Sequence, residues 1–388
     1  MTTQPNPSGT IVHEVRWADA LPWWLLFKAA GVAFSPTVIL LAAFGAVATW
    51  AGWSACSQLG LAGADGFASV VTPLDGGVIF PPGDGMVTAP LTPSRQVLPW
   101  THDLLRRLPQ PLAELIALVS VPFRPTATPH QLLGAVARLA WFVLVWSIFG
   151  TGITRHVALK LIGEEAPGPL GATLYGSRTW LSSFNAVLFV IVGILALSVP
   201  GALLGLAMRT EWGLAFAGAI WPLVLLGAVV LAILAVGVVA GWPLMVAAVG
   251  VERGDSFQAI STAFSYLYQR PLHYAFYALV ALAVAVPAIA VAGLFADATG
   301  TLAMWAASFG MGHERTVAVL DGLSGAGTEA TQWGVKAITF WSRGLAHLLS
   351  SFGWGYFWAI ATAAYMLLRQ DVDGTELDEV VIDEPGGG

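Results

Sequence analysis

Residues 241–286 read GWPLMVAAVGVERGDSFQAISTAFSYLYQRPLHYAFYALVALAVAV, and this stretch decides the fold. It holds the end of one apolar run, a charged elbow at Val251-Glu252-Arg253-Gly254-Asp255, a one-sided segment, a break at Pro271 and the start of another apolar run. In the middle segment Phe257, Ile260, Phe264, Leu267 and Tyr268 recur at i, i+3, i+7, i+10 and i+11, one stripe of a 3.6-period helix. Asp255 or Ser256 supplies its N-cap. A polar elbow and an amphipathic helix squeezed between two long apolar runs predict a helix lying at a membrane surface.

Composition points the same way. Of 388 residues, 56% are hydrophobic and only 10% charged, where a soluble domain carries about 25% charged residues. The chain reads as an integral membrane protein. Its 17 Trp against 7 Tyr suit interfacial positions, where indole rings sit well among headgroups. The net charge of −6 is concentrated at the end, where Asp371, Asp373, Glu376, Asp378, Glu379, Asp383 and Glu384 cluster. No basic stripe is present to neutralise phosphates, which argues against a nucleic-acid partner. A single cysteine, Cys56, excludes an intramolecular disulfide and a Cys-cluster metal site. The sequence Trp53-Ser54-Ala55-Cys56 has the outline of a lipoprotein box, but Trp53 stands where a small aliphatic residue belongs. The first apolar run is too long for a signal-peptide core, so no cleavable leader is expected.

The expected fold is all-α: a polytopic transmembrane helix bundle of about six spans with interfacial amphipathic helices. Residues 1–20 form a polar N-terminal tail and 21–368 the integral membrane domain, with spans near 29–53, 132–154, 181–207, 214–241, 274–296 and 346–368. About 20 apolar residues suffice to cross a bilayer. Pro36 is expected to kink the first span, and Lys28 to snorkel to the nearer interface. Residues 54–131 are expected to form a periplasmic Gly/Pro-rich loop or small cap, with a helical stretch over 103–121 broken at Pro109 and Pro111. The short connector Arg209-Thr210-Glu211-Trp212 makes spans three and four antiparallel neighbours. Gly150/Gly152, Gly201/Gly205 and Gly237/Gly241 are small-residue pairs that let helices approach closely. After span five come a mixed region with His313-Glu314-Arg315 and an amphipathic run over 333–349. An acidic, solvated tail over 369–388 closes the chain.

Six spans put both termini on one side. Placing them in the cytoplasm gathers Arg16, Lys28, Arg155, Lys160, Arg178, Arg253, Arg270 and Arg369 inside, a modest positive-inside bias. A shift of 87 residues lays Gly163 on Gly250, Glu165 on Glu252 and Pro200 on Pro287, the outline of a parallel repeat. Such repeats occur in transporters.

A search for chemistry finds no Walker-type loop, HExxH or GxSxG, and no paired His or Cys with metal-ligand spacing. No catalytic residue, metal or other cofactor is expected. Arg138 lies inside the first turns of span two, either as an intramembrane functional charge or, more simply, as a side chain that snorkels. Glu252 reads as one half of an ion pair that orients the elbow. Pro200 and Pro287 break apolar spans and could free backbone carbonyls for a ligand. The acidic tail offers a docking point for a protein partner. The bilayer is the other partner.

The elbow carries a resemblance as well. Glu252, Ser256, Ala259, Ile260 and Arg270-Pro271 match a pattern in which a Glu-x-x-x-Ser elbow precedes a helix ending in Arg-Pro. In this the chain resembles a class of uncharacterised bacterial polytopic membrane proteins, and is similar to the membrane domain fused to some glycerophosphodiester phosphodiesterases. The ending Leu-Leu-Arg-Gln-Asp-Val-Asp-Gly-Thr-Glu at 367–376 resembles tails of similar proteins from planctomycete-like bacteria. The resemblance implies a multi-pass module of the bacterial inner membrane and marks Arg270, without implying an activity. The function expected is a non-enzymatic membrane scaffold or accessory module. The alternative is a permease for a small molecule or lipid, with its path between the two repeat units around Pro200 and Pro287.

Overall fold

The computed structural model describes residues 21–61, 119, 121–123, 128–323, 333–377 and 380, and the expected loop helix over 103–121 falls almost wholly outside them. The regular structure of these residues is helical: α1 (Trp24–Ala33), α2 (Pro36–Gln58), α3 (Pro129–Ile162), α4 (Pro169–Ala207), α5 (Glu211–Glu252), α6 (Ser256–Gln269), α7 (Pro271–Leu323), α8 (Trp333–Ser350) and α9 (Phe352–Asp373), with one 3-10 turn at Val121–Phe123. Local chemistry sets the boundaries. Prolines stand at the first position of α2, α3, α4 and α7, where the missing N–H costs nothing. Ser35 accepts from Val38 N, Thr128 and Gln131 form a reciprocal capping box, and Asp255 Oδ1 accepts from Gln258 N at 2.8 Å. Of the two candidate caps of α6, Asp255 is the one used.

Two boundaries differ from expectation. Pro36 does not kink a continuous span; the chain breaks at Phe34-Ser35 and Pro36 opens a new helix. Nor does helix end near residue 296. It continues to a kink at Gly312, whose φ of 74° lies in the left-handed region, and a second helical stretch runs on from there to Leu323.

Among the described residues, five helices are long and apolar enough to cross a membrane: α2, α3, α4, α5 and α7. The chain is thus an all-α, multi-pass, membrane-embedded bundle in contact with lipid. Helix α9, where a sixth span was expected, is different in kind. Its 22 residues include Tyr356, Thr362 and Tyr365, and nearly every side chain from Phe352 to Leu368 is buried against other helices. A helix enclosed by protein has no lipid-facing surface to keep apolar.

The core lies at one end of the bundle. It is built from the second half of α3, the last turns of α5 (Gly241–Val251), α9, the inner face of α1 and the small-residue face of α6. At its centre four indoles meet: Trp146 and Trp354 lie 4.7 Å apart between ring centroids, Trp146 and Trp358 5.9 Å, and Trp242 meets Trp358 edge to face at 5.2 Å. These tryptophans are core residues, not interfacial ones. Trp212, Trp333 and Trp341 are the exposed kind.

Close backbone approach makes this end compact. A Cβ on Gly152 would sit 2.6 Å from the Ala172 carbonyl oxygen, and one on Gly176 would collide with that of Ile148, so α3 and α4 cross on glycine. A Cβ on Gly250 of α5 would strike Thr154 of α3. Away from the core, α4 and α5 form an antiparallel hairpin of 39 and 42 residues whose far halves are largely exposed. At 1.5 Å per residue each is about 60 Å long, roughly twice the hydrocarbon thickness of a bilayer. Gly201 and Gly205 face open space there and pack against nothing.

Candidate functional site

The last turn of α5 delivers Glu252 to the packed end. Its carboxylate accepts from Tyr365 Oη at 2.6 Å and from Gln258 Nε2 at 3.1 Å, and pairs with Arg369 Nε at 3.0 Å. Both members of the ion pair are about 15% exposed, well sheltered from solvent screening. The expected orienting ion pair is therefore present, with a partner 117 residues away rather than a neighbour in the elbow.

Two more carboxylates extend the arrangement. Asp373 accepts from Tyr266 of α6, and Asp371 accepts from Tyr277 of α7 at 2.7 Å, with His273 Nδ1 at 3.7 Å. The Tyr266 and Tyr365 rings lie 5.4 Å apart. Burial first, and then the bond to Asp373, push the Tyr266 hydroxyl well above the usual tyrosine range, so it remains a donor. Three helices, α5, α6 and α7, thus converge on the end of α9. Each acid in this tie accepts from a tyrosine, the donor type that brings an apolar ring with its hydroxyl. The tail differs here from the expected solvated segment: α9 continues to Asp373, ends on Gly374 at φ 68°, and Leu377 and Val380 pack onto the core.

Beside the tie, Arg253 ends α5 in the left-handed region at φ 59°. For a residue with a Cβ this conformation costs about 1–2 kcal/mol. Tyr175 accounts for what holds it. The Tyr175 hydroxyl donates to the Val249 carbonyl at 2.9 Å, and its ring faces the Arg253 guanidinium at 5.7 Å and that of Arg155 at 5.4 Å. Arg155 is only 1% exposed. His156, next to it, joins the loop before α4 through its Nδ1 and the Pro167 carbonyl oxygen, 2.8 Å apart.

The other sequence candidates lie apart from this assembly. Arg138 is near the opposite end of α3 and is 6% exposed, its Nη2 3.5 Å from Ser57 Oγ. It docks on α2 rather than snorkelling. Pro200 and Pro287 sit on exposed faces of α4 and α7 without interrupting either helix. Arg270 caps the break between α6 and α7 and is exposed. Among the described residues, no three His, Cys, Asp or Glu come together to hold a metal.

Sequence reasoning missed Tyr365, Arg369 and Asp373 as one unit, although the signal exists. They are spaced by four and so share a face if α9 runs past the apolar segment. Reading the acids as a solvated tail concealed that register. Arg155 and Tyr175 carried no comparable signal, since their meeting depends on how α3, α4 and α5 cross. The tie can fix geometry and carry charge, but its polar atoms are spent on one another. No protein-family model, curated protein or solved structure matches the chain, and the meaning of the site rests on its own chemistry.

Proposed function

We propose that the protein is a non-enzymatic scaffold or accessory module of a bacterial inner membrane, with its packed end in the cytoplasm. The observation that carries this reading is the tie itself. Glu252, Asp371 and Asp373 are occupied in fastening the end of α9 to α5, α6 and α7. Acids farther along the chain, from Glu376 onward, therefore start from a fixed point. The basic residues Lys28, Arg155, Lys160, Arg253 and Arg369 lie at this same end, which supports its cytoplasmic placement. The resemblance in the elbow is consistent with a module of this kind.

Affinity purification of the full chain from solubilised membranes tests the reading. Glu376, Asp378, Glu379, Asp383 and Glu384 are replaced by their amides in a parallel sample, leaving the tie untouched. A discrete protein should co-purify with the native chain and be lost from the amide variant. Recovery of the same background from both would reject docking through the tail.

A further inference from the structure

Two cations at the packed end stand outside the tie. Lys28 on the outer face of α1 and Lys160 in the last turn of α3 line one open cavity of about 590 Å³, together with Gly31, Val32, Leu161 and Gly163. A second cavity of about 200 Å³ adjoins it through Lys28, Leu161 and Ile162, and is walled by Trp24, Leu25, Met366 and Leu377. One groove therefore has a cationic mouth and an apolar slot. Trp24 and Phe27 stack at its edge, 5.0 Å between centroids, and both are exposed, as befits a position among headgroups.

Simpler duties do not account for the lysines. Carbonyls at the end of α3 are already met by backbone: Glu164 N donates to Leu159 O at 2.9 Å and Gly163 N to Lys160 O at 3.3 Å. Lys160 is not needed as a cap. Glu164 and Glu165 follow closely, yet among the described residues neither lysine is in an ion pair. A snorkelling Lys28 would need a route to water, but not a second lysine across a cavity. Basic pockets between helices near a membrane surface suit phosphate-bearing headgroups, and a slot lined by Leu, Met and Trp suits the start of an acyl chain.

We propose that this groove binds one anionic phospholipid, its phosphate between Lys28 and Lys160 and its first methylenes in the slot beside Trp24. The proposal is independent of the scaffold reading. It is tested by native mass spectrometry of the full chain in detergent, titrated with phosphatidylglycerol, with phosphatidylcholine of the same chains, and with inorganic phosphate. Phosphatidylglycerol should bind at least about tenfold more tightly than phosphatidylcholine, the scale of one or two charge contacts. The double variant K28Q/K160Q should erase that preference, while K336Q, on α8, should keep it. All three lysines are exposed, so these variants should fold. Equal affinity for the two lipids, or a preference that survives the double variant, overturns the proposal. Displacement of phosphatidylglycerol by millimolar phosphate also overturns it, because the slot would then contribute nothing.

Discussion

Glu252 is satisfied by three donors from two helices, and Tyr266 shows what that degree of burial does to chemistry. The Tyr266 hydroxyl ionises above its unfolded value because burial and the acceptor Asp373 both disfavour the phenolate. A group whose folded value is raised contributes fully below its unfolded value and loses the contribution as pH climbs through the folded one. The bond should therefore stabilise the protein fully up to about pH 10 and progressively less above it. Thermal unfolding of the native chain and of Y266F should differ by a constant margin from about pH 7 to about pH 9. That margin should shrink at higher pH, and one that grew instead would contradict the assignment. Arg253 belongs at this scale too, since its left-handed backbone is explained by neighbours in space and by nothing in its own stretch of sequence.

At the scale of elements, α6 shows how a correct periodicity can name the wrong face. The apolar stripe 257, 260, 264, 267, 268 is real, but the residues buried in the bundle are Ser256, Ala259, Ala263, Tyr266 and Leu267. They follow the same spacing displaced by one residue, a rotation of about 100°. Small side chains let α6 approach the buried end of α5, while Phe257 is left 68% exposed and stacks on Phe189 of α4. Glycines divide by the same geometry. Gly176 has the Ile148 carbonyl against it and Gly201 has open space. Gly176→Ala should cost about 1–3 kcal/mol, the range for overpacking. Gly201→Ala should be neutral or stabilise by up to about 1 kcal/mol, because alanine restricts the unfolded chain and loses less entropy on entering the helix. Unfolding temperatures of the two variants in detergent would show whether the sign changes between them.

Across the whole molecule, order is distributed unevenly. Indoles, glycine crossings and carboxylate ties concentrate at one end, and the apolar α4–α5 hairpin extends from it with most of its surface exposed. The end of α9 locks this arrangement. A chain ending at Val380 keeps every described contact and should unfold at the native temperature. One ending at Leu368 loses Arg369, Asp371 and Asp373 together and should unfold several degrees lower, since hydrogen bonds to charged groups contribute about 1.5–3 kcal/mol each.

The sequence by itself determined the membrane class, the helical character, most helix starts and the charged elbow. These follow from local causes: apolar length, proline position, capping side chains and the fewness of charges. Tertiary structure decided which face of α6 is buried, that four tryptophans form a core, and that α9 is an interior helix. It also decided that Glu252, introduced as the charge at the head of an elbow, is joined to Tyr365 and Arg369 more than a hundred residues downstream. Periodicity records that a helix has a face, but only the crossing of helices selects its neighbour.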